Sequence, residues 1–100
     1  MILVKTYTKD NNIEEVSIKG HANYKEYGKD IVCSAVSSIA ICTINAIYSF
    51  SDNSIEVEES DGYLHIKILK QEDITITLIK NMIRCLKDIE SNYPTNIKIK

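Results

Sequence analysis

The sequence predicts a two-layer α+β domain, a largely antiparallel sheet with two helices on one face in the order ββαββα. Three observations carry this prediction. Two pairs of short segments alternate apolar and polar residues around turn-forming dipeptides or tripeptides. Each pair is followed by a longer segment whose apolar residues recur at helical spacing. The 100 residues, 44% apolar and 26% charged, suffice for one core and are too few for two, so a single domain over residues 1–100 is expected.

Residues 1–9 and 13–19 read as strands joined at Asp10, Asn11 and Asn12, residues that tolerate turn backbone. With those three as the loop, Val4 faces Ile18 and Thr6 faces Val16, which gathers apolar side chains on one face. Residues 31–50 read as the first helix. On a 100° wheel Cys33, Val36, Ala40, Ile44 and Ile47 fall on one side, and Ser34, Ser38, Cys42, Asn45 and Ser49 on the other. In the second hairpin Asp61-Gly62 sits between SIEVEES and YLHIKIL, as a two-residue turn requires. Counting outward, Ile55 opposes Ile68 and Val57 opposes Ile66, while Glu56 opposes Lys67 and Glu58 opposes His65. His65 is thereby expected on a solvated sheet face as the cross-strand partner of Glu58. Residues 72–91 read as the second helix, with Leu78, Ile79, Met82, Leu86 and Ile89 in one stripe. Cys85 lies at the margin of that stripe, where a small core hydrophobe is expected. Pro94 closes the helical region, and NIKIK has the alternation of a short C-terminal edge strand.

The segment IVCSAVSSIAICTINAIYSF is twenty residues without a charge, long enough to cross a membrane. Its serines, Thr43 and Asn45, and the want of a flanking basic cluster, favour instead a helix buried on most of its circumference. Its small polar side suits close approach by another surface, either a second copy of the chain or the chain's own loop. A formal net charge of −2, from 12 basic and 14 acidic residues spread along the chain, gives no basic footprint for nucleic acid. Cys33, Cys42 and Cys85 are odd in number and lack paired metal-ligand spacing, and MILVKTYTKD lacks the pattern of a secretory leader. Reduced thiols in a cytoplasm, with no metal, are expected.

The chemistry gathers in GHANYKEYGKDIVCSAVS, residues 20–37, which holds one of the two histidines and the first of the three cysteines. Gly20 ends the second strand and frees the chain to swing His21 off the sheet line. Asp30 is a candidate N-cap, which would place Cys33 in the first helical turn, near outward N–H groups that favour negative charge. A free thiol titrates near ~8.5, and bringing it below about 7 takes roughly 2 kcal/mol. A helix terminus supplies about 0.3 to 1 kcal/mol, so a neighbouring imidazolium is the natural source of the remainder. Such a pair would let a Cys33 thiolate attack a carbonyl while His21 protonates the leaving amine. The loop with Tyr24, Tyr27 and Gly28 could then close over a peptide. The same residues also fit a helix-terminal cysteine packed in the core beside an ordinary turn histidine. On their own they leave both readings open.

GHA, six further residues ending in glycine, one variable position, DIVC, and a serine four residues after that cysteine together resemble the signature of the ribosomal-processing cysteine proteases, the Prp or YsxB-like family. The layout is similar end to end, down to a hairpin carrying HI. The resemblance implies a cysteine protease whose histidine is His21 and whose nucleophile is Cys33. It implies supporting roles for Asp30 and Ser37, and a mobile loop that begins at Gly20. It also implies a cytoplasmic homodimer without a cofactor that trims the N-terminal extension of large-subunit ribosomal protein L twenty-seven after an aromatic residue. Ser34 departs from the family's usual alanine while keeping its small size. The competing expectation is a ribosome-assembly adaptor that binds the same protein without cutting it; an acyl transferase using the same pair is a third.

Overall fold

The computed structural model describes residues 1–20 and 29–100, and the side chains of all of these but Lys29 and Asp30. The elements are β1 (Ile2–Lys9), β2 (Asn12–Lys19), α1 (Lys29–Phe50), β3 (Ile55–Ser60), β4 (Tyr63–Ile68), α2 (Asp73–Asn92) and β5 (Ile97–Ile99). The five strands form one mixed sheet in the order β3-β4-β2-β1-β5, antiparallel except that β5 runs parallel to β1.

The first hairpin reaches its expected register by two offsetting departures. Its loop is two residues, since Lys9 already pairs with Asn12 across Asp10 (φ 54°) and Asn11 (φ 66°). Two successive left-handed residues match the twist of the flanking strands. A bulge then adds one residue: Tyr7 pairs with Glu15 and Thr8 with Ile13. Because side chains alternate with period two, this bulge restores Val4 opposite Ile18 and Thr6 opposite Val16. The second hairpin follows its expected pairing throughout, with Gly62 at φ 71° in the turn.

Both helices cover one face of the sheet. Val4, Val16, Ile18, Leu64 and Ile66 meet Val36, Ala40 and Ile47 of α1 and Ile79, Met82 and Leu86 of α2 in one core. The first turn of α2 is tied down by a buried pair, the Thr75 hydroxyl donating to Ser54 Oγ at 3.0 Å. Its N-cap, Glu72, makes no side-chain cap bond.

Three expectations need correction. Helix α1 is buried along one stripe, not most of its circumference: Val32, Val36, Ala40, Ile44 and Ile47 are inside, whereas Ile31, Ile41, Tyr48 and Phe50 are exposed. Among the described residues its core contacts come from the sheet and α2, on one side of the helix. Cys85 is half-buried and stands outside the core cluster. His65 pairs with Glu58 in register, yet its side chain binds Glu15 of β2, Nε2 to Oε1 at 2.7 Å. The reason is that β4 is an interior strand between β3 and β2, which leaves His65 only 18% exposed.

Candidate active site

Gly20 follows the end of β2 at φ +85°, and its N–H donates to the Gly62 carbonyl at 2.8 Å. A Cβ at this position would stand 2.6 Å from the Met1 carbonyl oxygen. Only glycine fits, on grounds of both backbone angle and space. The chain therefore leaves the sheet at a point fixed by the β3–β4 turn on one side and the first residue on the other. His21 comes next, and it lies outside the described residues, as do Tyr24, Tyr27 and Gly28.

Helix α1 begins at Lys29, two residues before the expected start. Asp30 thus stands inside the first turn instead of capping it, and its side chain lies outside the described residues. Cys33 is one turn further in, half-buried, flanked by the fully buried Val32 and Val36, which lock the rotation of the helix. It packs against the core cluster and forms no disulfide. Dipole and N–H effects fall off within the first turn of a helix. Cys33 at this depth draws less from the terminus than a first-turn residue would. Ser37, four residues on, shares the face of Cys33 and is also half-buried. Ser34 is exposed beside it. The structure thus brings Cys33 and Ser37 to one helix face and places Gly20 at the strand exit.

The outer sheet face beside that exit carries a polar cluster that sequence reasoning missed. His65 is bonded to Glu15 and stacks on Tyr63 with ring planes 4° apart and centroids 6.3 Å apart. Lys19 Nζ lies 5.6 Å from the Tyr63 ring. Ser17, cross-strand from His65, is 3% exposed, and its hydroxyl has no hydrogen-bond partner among the described residues. The signal lay in the pairing of β2 with β4, which no local pattern announces. A hollow of about 360 Å³ lined by Glu58, Glu59, Ser60 and Tyr63 sits at the same hairpin.

Comparison with known proteins agrees with this geometry. The family described as "Cysteine protease Prp" matches residues 1–98. The ribosomal processing cysteine protease Prp of Staphylococcus aureus is 29% identical over 97 residues, covering 94% of this chain and 92% of that one. A crystal structure of the essential ribosomal processing protease Prp from S. aureus in complex with a substrate peptide superposes with a TM-score of 0.93 at 28% identity, over 100% of this chain and 98% of that one. A second, with a covalently linked product peptide, gives 0.89 at 30% identity over the same shares. The adaptor expectation is overturned by these matches. With the Prp family matched from Met1 into the last strand, and its fold reproduced around a half-buried helix cysteine, this chain belongs to the cysteine protease Prp family and is a cysteine protease.

Proposed function

We propose that the chain removes the N-terminal extension of large-subunit ribosomal protein L twenty-seven, cutting after an aromatic residue, with Cys33 as nucleophile and His21 as acid–base partner. The observation that carries this reading is full-length similarity to a ribosomal processing protease captured with a covalently linked product peptide. The steps follow from the residues. Cys33 Sγ, as thiolate, adds to the scissile carbonyl carbon and the electron pair moves to oxygen, where N–H donors at the start of α1 stabilise it. The carbonyl re-forms, the C–N bond breaks, and the amine leaves with the proton of the His21 imidazolium. Water gives a proton to the now neutral His21, attacks the thioester and releases the acid and the thiolate. Asp30 and Ser37 support the pair, and no cofactor takes part.

The reading places the chain in the cytoplasm, acting on protein and not on nucleic acid or a membrane. Its test is incubation with a synthetic peptide spanning the extension and first mature residues of L twenty-seven, read by mass. One cut after the aromatic residue is expected, absent in Cys33→Ala and His21→Ala, both of which keep the wild-type melting temperature. An intact peptide after prolonged incubation, or cleavage surviving Cys33→Ala, overturns the assignment.

A further inference from the structure

A groove of about 560 Å³ lies between α2 and the far end of the β1–β2 hairpin. Its floor is apolar, made by Ile13, Ile83 and Ile99, and one wall carries Thr6 and Thr8. Its rim is cationic, with Lys80, Arg84 and Lys87 from α2 and Lys100 beyond β5. Those four are a third of the 12 basic residues in a chain whose net charge is −2. All four are exposed, and among the described residues none forms an ion pair. Arg84 donates to the neutral Asn81 Oδ1. The one carboxylate engaged at this end, Glu90, is occupied by the N–H of Ile99 at 2.9 Å.

The groove exists because β5 is short. It pairs only with Ile2, Leu3 and Val4, and Thr6 N–H reaches the last carbonyl, that of Lys100, at 3.3 Å. Among the described residues, Tyr7 to Lys9 thus have β2 on one side and no strand on the other, and α2 overhangs the gap. Ile13 is six residues from Lys19 along β2, or roughly 20 Å from the strand exit that leads to His21. The groove and the proposed chemistry lie at opposite ends of the sheet.

The geometry points to this groove as a docking site for an acidic peptide segment of a partner protein, one that alternates carboxylates with apolar side chains. The charge complementarity is direct, since unpaired cations surround a surface that would bury apolar groups. Lys80 and Arg84 are separated by about 6 Å along the helix axis, and alternate residues of an extended peptide by roughly 6.6 Å, so successive carboxylates match the row. Nucleic acid fits less well, because no aromatic side chain lines the groove to stack a base.

The test uses the full chain and a fluorescein-labelled peptide of alternating glutamate and leucine, followed by anisotropy at low and high salt. Saturable, salt-sensitive binding is expected, weakened at least about tenfold when glutamine replaces glutamate in the probe and by Lys80→Glu/Arg84→Glu/Lys87→Glu. Arg84→Gln alone provides a milder second variant should the triple one misfold by circular dichroism. Amide shifts on titration should map to Thr6, Thr8 and Ile83. No binding, or binding indifferent to both the glutamine probe and the variants, overturns the proposal and leaves the cations as guards of a sheet edge. Tighter binding of an oligothymidylate of equal charge overturns it in favour of nucleic acid.

Discussion

Gly20 is constrained twice, once by a left-handed φ and once by the Met1 carbonyl where a Cβ would be. The two constraints can be separated. Gly20→Ala violates both and should cost about 1–3 kcal/mol in urea unfolding. Asparagine tolerates the left-handed region, so if backbone angle were the whole cost Gly20→Asn would recover most of it. Because the clash is with backbone, both variants are expected to be similarly destabilised; full recovery by asparagine would show that Met1 moves aside. Ser17 offers the opposite case. Its buried hydroxyl has no partner among the described residues, so Ser17→Ala should leave stability unchanged or raise it by up to about 1 kcal/mol. A loss of more than that would reveal a bond that the folded chain makes in solution.

At the scale of elements, the Thr75–Ser54 pair joins the start of α2 to the loop before β3, and both side chains are fully buried. Thr75→Val leaves Ser54 Oγ stranded and should cost about 1–3 kcal/mol, whereas Thr75→Val with Ser54→Ala should recover most of it. Strict additivity in thermal melts would mean that the pair contributes nothing as a pair. The same scale shows what a reader of the sequence can and cannot see. Both hairpins were legible because Asp10-Asn11 and Asp61-Gly62 are local turn chemistry, and α2 because its stripe is strongly periodic. The pairing of β2 with β4 and of β1 with β5 joins segments about fifty and ninety-five residues apart, where alternation fixes a face but not a neighbour. Hence the GHA and DIVC motifs could be read directly, since their spacing is local, while the Glu15–His65 bond could not. The two-residue difference in the start of α1 had a chemical consequence, because it moved Cys33 about half a turn deeper, from the first turn into the second.

For the whole molecule, the exposed side of α1 is a long surface without charge. Ile31, Ser34, Ser38, Ile41, Cys42 and Asn45 run along it without a charge, and Ile31 and Ile41 are each about half exposed. We propose that the homodimer implied by the family resemblance forms here, with two copies burying that stripe. Light scattering is expected to give twice the chain mass at micromolar concentration, and Ile41→Asp to return it to the monomer. A wild-type chain that scatters as a monomer at high concentration would exclude the dimer. Such an interface would leave the cationic groove open, because the groove is built from α2, β1, β2 and β5.

The parallel pairing of β5 with β1 sets the two chain ends side by side, Ile2 opposite Ile97. Met1 abuts the pivot glycine, while Lys100 forms part of the groove rim. An affinity tag fused at the front would therefore crowd the chain's exit from the sheet at Gly20, and one fused at the back would sit across the distal groove. Purification handles on this protein are better cleaved off before either activity is measured.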